Sequence, residues 1–373
     1  MTRSRRPLQA GKIRAHIVWF DSMGAKCSSV LVETPDIRVL IDPGAAAMQP
    51  SFPLSWAMKA RYCVEAFRAI AQAGRKADAI VVSHYHYDHH TPISRRVIDA
   101  MELYKGKVIW AKDPNRYING SQWNRARSFY DELCLAFGNT RLSDVETGPL
   151  QTEYPDPMDS IPIARDKDYG DYQRRKAELI AKGRAWFERL SSRLWGAKPW
   201  VPELAFDALR VEFVDGRTIR VGGTTIRFSP PLFHGIEFDR VGWVFATSVE
   251  YGRSKFLHSS DLQGPMIEDY ADYIIGEDPD ILVLDGPPTY MFGYMLNRIN
   301  LNRCIENLCA IVRRVKARTI IYDHHLPRDR LFRERVKRVY EVGEEEGKRV
   351  LTAAEYLGDE PVVIKCSRPS RSP

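Results

Sequence analysis

The feature that most restricts this chain is the run Ser83-His84-Tyr85-His86-Tyr87-Asp88-His89-His90, which closes the short apolar stretch 79–83. Four of the nine histidines fall inside it. On a loop leaving a strand, His84 and His86 alternate and can point into one space. The turn then brings Asp88 and His89 round to face them. Neutral imidazoles and a carboxylate are ligands that zinc and similar divalent cations accept. A lone His-x-His is common in surface tracts. His-x-His-x-Asp-His at a strand end is not, and it predicts a metal site.

Further donors stand at strand ends downstream. His234 follows the run 228–233, Asp261 follows 256–259, and His324-His325 follow 319–322. Each alone reads as an ordinary loop residue, but together they repeat one placement. Asp42 follows Val39-Leu40-Ile41, where a carboxylate could hold the second nitrogen of a ligand histidine. His16 and His258 lie inside expected strands, with core or surface roles. Asp285-Gly286-Pro287-Pro288-Thr289-Tyr290 reads equally as a pocket wall or a rigid turn. There is no Gly-x-Ser-x-Gly elbow and no Gly-Lys-Ser/Thr phosphate loop.

The rest of the chain predicts a layered α/β sandwich. Strand signals fall at 15–20, 28–33, 38–42, 79–83 and 107–111, then at 224–228, 241–249, 256–259, 281–285, 319–322 and 362–364. Helical periodicity marks 56–73, a segment carrying Leu301, Cys304, Ile305, Leu308, Val312 and Val315, and 328–342. The proline-rich stretch 148–162 reads as a loop. Residues 171–195 read as a basic amphipathic helix, with Leu179, Trp186, Phe187, Leu190 and Leu194 on one face. Residues 121–205 are therefore expected to be a helical insertion within a single domain, 1–373. It either lids the site, where the basic helix 171–195 would steer anions inward, or is a structural elaboration.

Apolar residues make up 44% of the 373, enough for a sizeable core. No apolar run approaches the ~20 residues of a membrane span, and the basic start of the chain has no apolar signal core. Six cysteines without a CxxC pair suit reduced thiols and a cytoplasmic location. The net charge of +7 mildly favours anionic substrates, although a solvated basic surface explains it as well.

With these motifs in order, the sequence resembles the metallo-β-lactamase-fold hydrolases from about residue 15 to 365. More narrowly it resembles an archaeal family of that fold, through residues 83–92, Asn119-Gly120-Ser121-Gln122, Ser260-Asp261-Leu262-Gln263-Gly264-Pro265, Gly286-Pro287-Pro288-Thr289-Tyr290 and Asp323-His324-His325-Leu326. The resemblance implies an αββα sandwich with two divalent metal ions at one edge, zinc first, with iron or manganese as alternatives. It implies that His84, His86 and His234 hold one ion, that Asp88, His89 and a late histidine hold the other, and that Asp261 bridges them. Counting from the strand, His324 is nearer the ligand register. His325 and Asp42 are then supporting or substrate-binding residues.

The expected chemistry is hydrolysis of an ester-type bond by a hydroxide held between the ions, with Asp88 handling the proton. A small-molecule or nucleotide-like anionic ester is favoured, and phosphodiesters including nucleic acid belong to that class. Lactones are the alternative. An oxidoreductase of the same fold is disfavoured because diiron members place Glu where His86 stands. A binding protein that has lost catalysis is disfavoured by the full ligand set.

Overall fold

The computed structural model describes residues 6–367. The first residues of the basic start and nearly all of the tail 367–373 lie outside them. Two large sheets carry the fold. The first contains β1 (Leu8–Ala10), β2 (Ile13–Phe20), β3 (Ser28–Glu33), β4 (Arg38–Ile41), β5 (Ala79–Val82), β6 (Lys107–Ala111), β7 (Leu204–Phe206) and β8 (Leu209–Phe213), in the order 1-2-3-4-5-6-8-7. The second contains β9 (Thr218–Val221), β10 (Thr224–Phe228), β13 (Thr247–Tyr251), β14 (Ser254–His258), β15 (Ile281–Asp285), β16 (Thr319–Asp323) and β17 (Arg349–Leu351), in the order 17-16-15-14-13-10-9. A separate ribbon pairs β11 (Leu232–Phe233) with β12 (Trp243–Val244).

Side chains alternate along each strand, so the central strands serve two cores. Val39, Ile41, Ala79 and Val81 of one sheet join Phe228, Phe256, Ile281 and Val283 of the other in the layer between them. Leu40, Ile80, Val82, Leu282 and Leu284 face the opposite way, into a cluster shared with the helices. Strands apolar on both faces need helical cover on both sides. The helices Trp56–Gly74 and Arg298–Arg314 supply Ala66, Phe67, Ile70, Leu308 and Val312 to that cover. The result is the expected αββα sandwich.

Topology places the site. β4, β5 and β6 run parallel, as do β14, β15 and β16. Helical crossovers return the chain each time to the same starting end. The carboxyl ends of these strands therefore gather at one rim, where open α/β sheets bind ligands. Asp42, His84, Asp261, Asp285 and His324 all sit at or just past those ends.

The sequence expectations differ from the structure in four places. The expected strand 241–249 breaks into β12 and β13, which join different sheets. The expected helix 328–342 is interrupted. Asp329 Oδ1 accepts from Leu331 N at 3.0 Å, a local bond that competes with helical pairing, and helix follows in two pieces, Phe332–Arg335 and Lys337–Glu345. Residues 362–364 belong to the helix Val362–Ser367, because Pro361 starts a helical turn and Val362 and Val363 are buried by it. The basic helix spans Gln173–Leu190 and ends in a wide turn, Ser191–Trp195.

Residues 121–205 lie between β6 and β8, which are neighbours in one sheet. They pack on the sandwich through an aromatic cluster. Trp186 stacks on Trp243 at 5.5 Å and 4°, and Phe187 and Trp195 meet the same indole edge-on.

Candidate metal centre

β5 ends at Val82, and the turn that follows folds back tightly on the loop after β4. Asp42 stands there with φ 49°. A Cβ on Gly44 would run into the backbone of His89 and His90, so only glycine allows these two loops to touch. Asp42 is fully buried and collects three donors. Its Oδ1 accepts from Ser83 N at 2.8 Å, and its Oδ2 accepts from Ser83 Oγ at 2.7 Å and His89 Nδ1 at 2.9 Å.

The same arrangement recurs around the rim, with one ring nitrogen held from behind and the other facing a common centre. His84 Nδ1 meets Ser83 Oγ at 3.1 Å. His324 Nδ1 meets Asp21 Oδ1 at 3.1 Å, and His325 Nδ1 meets Asp285 Oδ1 at 2.9 Å. His234 Nδ1 lies 3.1 Å from the Gln263 amide. The atom placed there is Gln263 Nε2; with that amide turned over, Oε1 would accept from Nδ1–H and His234 Nε2 would keep its lone pair. Groups behind the ring fix the tautomer and aim the free nitrogen.

Asp261 is the focus. Its Oδ2 lies 3.0 Å from His89 Nε2, 3.2 Å from His234 Nε2, 3.3 Å from His324 Nε2, 3.6 Å from His84 Nε2 and 4.0 Å from His325 Nε2. His86 turns Nδ1 inward, 3.0 Å from His84 Nε2. Three sets of donor atoms each lie within 4.8 Å of one another: His84, His86, His234 and Asp261; Asp88, His89 and His324; and Asp261, His324 and His325. The structure thus brings all seven expected donors together, with His325 as an eighth.

The donors fit divalent cations. Among the described residues, His89 Nε2, His234 Nε2 and Asp261 Oδ1 are buried without a hydrogen-bond partner. The two nitrogens approach Asp261 Oδ2 closely but lack the angle of a hydrogen bond. Buried polar atoms are rarely left this way, and converging lone pairs are what a cation requires. Imidazole with carboxylate, and no thiolate, suits zinc, iron or manganese. Cys27 is close, but burial drives its thiol well above the usual range and keeps it protonated.

The electrostatics separate the histidines. Burial, together with neighbouring imidazoles, holds His84 and His86 well below their ordinary value. Burial does the same to His325, with Arg328 adding to it. Burial also opposes charge on His89, but Asp261 and Asp42 outweigh it and raise it to about 10. His324 is raised likewise by Asp21 and Asp261. Burial alone would raise Asp88 and Asp261, yet the surrounding cationic groups hold both below the usual carboxylate range. A cation binding here displaces protons from His89 and His324.

Backbone strain marks the same place. Nine non-glycine residues among those described have positive φ, and Asp42, Ser260, Gln263, His324 and His325 are five of them. Such conformations cost about 1–3 kcal/mol each and collect where function demands a placement.

A cavity of about 360 Å³ opens onto the cluster. His86, Asp88, His234, Asp261 and His325 form its floor, with Pro288, Tyr290 and Met291 from the turn after β15 in its wall. The basic residues of 173–190 do not line it. Arg175 pairs with Glu178, and Lys176 turns inward to the Ala164 carbonyl. Steering of anions by that helix is therefore not the arrangement found. The cavity's cations are Lys26, Arg125 and Arg328.

Of the remaining histidines, His16 pairs with Glu33 at 3.1 Å beside β2, and His258 is bonded on both ring nitrogens, to Ser28 and Ser260. His90 bonds the His86 carbonyl and packs on Phe129. Sequence reasoning missed Asp21, Lys26, Gln263 and Arg328. Asp21 follows β2 as Asp42 follows β4, so the strand-end rule extends to it. Nothing in the sequence distinguishes Arg328 from its many neighbouring arginines.

The family description of the metallo-beta-lactamase superfamily matches residues 24–90, the segment that carries Asp42 and the turn His84–His90. The chain is 32% identical to a UPF0282 protein of Korarchaeum cryptofilum over 92% of its own length and 88% of that protein's. It is 31% identical to the UPF0282 protein of Methanopyrus kandleri over 94% and 95%. The chain belongs to the UPF0282 family. Among solved structures it is similar to the metallo-beta-lactamase fold protein YhfI from Bacillus subtilis, at 12% identity and TM-score 0.37, covering 87% of each chain.

Proposed function

We propose that this chain is a metal-dependent hydrolase that cleaves an ester-type bond, with a phosphodiester or another anionic ester as substrate. One observation carries the reading. His89 Nε2, His234 Nε2 and Asp261 Oδ1 are buried and unpartnered, while Asp42 and Gln263 hold the far side of the two rings. His84, His86 and His234 would hold one divalent cation and Asp88, His89 and His324 the other, with Asp261 between them. Zinc is our first assignment, with iron or manganese as alternatives. Bound there, two such cations supply Lewis acidity and a water acidic enough to be a nucleophile near neutral pH.

The chain's own residues do the rest. Asp88 lines the cavity and stays ionised, so its carboxylate can orient an attacking water and carry its proton to the leaving oxygen. His325, neutral and held by Asp285, faces the same cavity and would contact substrate. We read residues 121–205 as an insertion within a single domain, 1–373, that contributes Arg125 to the wall. No helix among the described residues is long and apolar enough to cross a membrane. The six cysteines are free, which suits a reducing compartment, and we assign the chain to the cytoplasm.

The test is hydrolysis by the cation-loaded chain of bis(p-nitrophenyl) phosphate against a neutral lactone of similar size. Faster phosphodiester turnover, lost in Asp88→Ala, supports the proposal. Preference for the lactone transfers the site to the alternative substrate class. No hydrolysis of any ester by fully loaded protein removes the hydrolase reading.

A further inference from the structure

Of the three cations that line the cavity, Arg328 and Lys26 act on each other electrostatically. Arg328 is buried, its side chain 4% exposed. Its Nε is bonded to Asp21 Oδ2, and Asp21 holds His324 through its other oxygen. The outer half of the guanidinium is less occupied. Among the described residues its Nη groups find Tyr290 Oη at 3.5 Å, Asp88 Oδ2 at 3.5 Å and His324 Nε2 at 3.4 Å, and nothing nearer. Those contacts are at or beyond the weak end of hydrogen bonding. A buried guanidinium has five donors to satisfy, and most of these are left facing the cavity.

Lys26 stands beside it. Its backbone is pinned on both sides, Lys26 N donating to Ala46 O at 2.9 Å and Ala46 N to Lys26 O at 3.0 Å. The ammonium group makes no hydrogen bond or ion pair among the described residues, although the side chain is half-buried and lines the cavity. Two like charges side by side in a half-buried wall repel each other unless an anion joins them. The nearby carboxylates face other groups: Asp21 bonds Arg328 and His324, Asp261 meets the histidines, and Asp88, 3.5 Å from Arg328 Nη2 and 4.0 Å from His324 Nε2, would be taken by a bound cation. A purely structural Arg328 would need only its bond to Asp21 and would leave Lys26 unexplained.

We propose that Arg328 and Lys26 form an oxyanion-binding subsite beside the cluster, and that it takes the phosphoryl oxygens of the substrate. This rests on the hydrolase reading above and narrows it. The fork of Arg328 and the point charge of Lys26 are two separate cationic groups lining one cavity, with Tyr290 Oη 3.5 Å from Arg328 Nη1. That pair suits a tetrahedral anion, whereas a planar carboxylate is satisfied by the arginine fork alone. The same cavity also has an apolar lining, with Ile236, Met266, Met291, Met295 and Leu296. The substrate class is then a phosphate ester whose phosphoryl group lies against Arg328 and Lys26 and whose organic group contacts the methionines.

The experiment is calorimetric titration of inorganic phosphate, with acetate as the carboxylate control, into the cation-loaded full chain. It compares wild type, Lys26→Met and Arg328→Lys, with metal content measured on each sample. Phosphate affinity is expected to fall about tenfold or more in each variant, as for loss of a charged hydrogen bond, while acetate affinity in Lys26→Met stays within about twofold and metal content is unchanged. If Arg328→Lys also loses metal through Asp21 and His324, Lys26→Met decides, because Lys26 touches no donor of the cluster. Phosphate affinity unchanged in Lys26→Met at full metal content overturns the subsite and leaves the hydrolase reading standing. Equal losses for acetate and phosphate overturn the phosphoryl assignment. Wild-type protein that binds no metal at all is a failure of the earlier reading, and the metal analysis identifies it as such.

Discussion

Asp42→Asn tests whether the residues behind the rings set the affinity of the centre. Asparagine is among the residues that tolerate positive φ, so the backbone at 49° is retained and only one oxygen is exchanged for an amide. Three donors point at that carboxylate: Ser83 N, Ser83 Oγ and His89 Nδ1. Whichever way the amide turns, its NH2 faces at least one of them. If it faces His89, the imidazole must move its proton to Nε2, the nitrogen that points at Asp261, and a protonated nitrogen cannot ligate. If it faces Ser83 N, a buried donor is left unpaired. Either outcome costs about 1–3 kcal/mol, a factor of roughly 5 to 150 in affinity. The same range is found when groups behind ligands are removed from other metal sites. Ser83 Oγ also holds His84, so both halves of the cluster should feel the change. The assay is competition with a chromogenic chelator, read as a binding constant for each cation, with circular dichroism to show that the fold is kept. A variant that binds both cations within twofold of wild type would refute the reasoning.

Three further expectations follow from the same geometry. His324→Ala should lose one of the two cations and His325→Ala should retain both; the reverse result in metal analysis would move the ligand by one residue. Trp243→Ala removes the fully buried indole at the centre of the cluster that ties residues 121–205 to the sandwich. It should lower stability by about 3–5 kcal/mol, and a loss under 1 kcal/mol in urea unfolding would mean that the segment is anchored elsewhere. Glu268 is buried and bonded to Arg303 at 2.8 Å. Burial alone would raise its carboxyl, but Arg303 outweighs it and brings it down to about 2. A depressed carboxyl stabilises the fold above its unfolded value near 4.5, and that contribution is lost as pH falls toward 2. The stability gap between wild type and Glu268→Gln should therefore narrow between pH 7 and pH 3, and a gap independent of pH would contradict the assignment.

Much of the site was legible because strand ends announce it. His84, His86, Asp88 and His89 sit in one turn, and apolar runs point to Asp42, Asp261 and His324 without reference to the rest of the fold. Other residues were hidden for physical reasons. Asp21 satisfied the same strand-end rule but carried no neighbouring histidine in sequence, since its partner His324 arrives only when the two sheets close. Arg328 becomes distinctive only through burial, which its charged surroundings in the sequence conceal. The fold was read well where a short strand carries an apolar run or a regular alternation, as in β15 and β10. It was misread where tertiary contacts outweighed local preference. Val362 and Val363 are β-branched yet helical, because Pro361 begins the turn and the core receives both. The run 241–249 is mostly apolar with Gly242, Thr247 and Ser248 inside it, and it divides because Trp243–Val244 pair with Leu232–Phe233 while Thr247–Tyr251 pair with β10 and β14. The basic face of 171–195 suggested anion steering, but the cations that line the cavity, Lys26, Arg125 and Arg328, come from other elements.

The central claim is that two divalent cations occupy the centre with Asp261 between them. Elemental analysis of the purified, reconstituted and dialysed chain measures it directly, in wild type and in Asp261→Ala with the fold checked by circular dichroism. The account expects about two equivalents of transition metal per wild-type chain and a loss of most of it in the folded variant. Wild-type protein without transition metal after reconstitution, or a folded Asp261→Ala chain that keeps both equivalents, would contradict it.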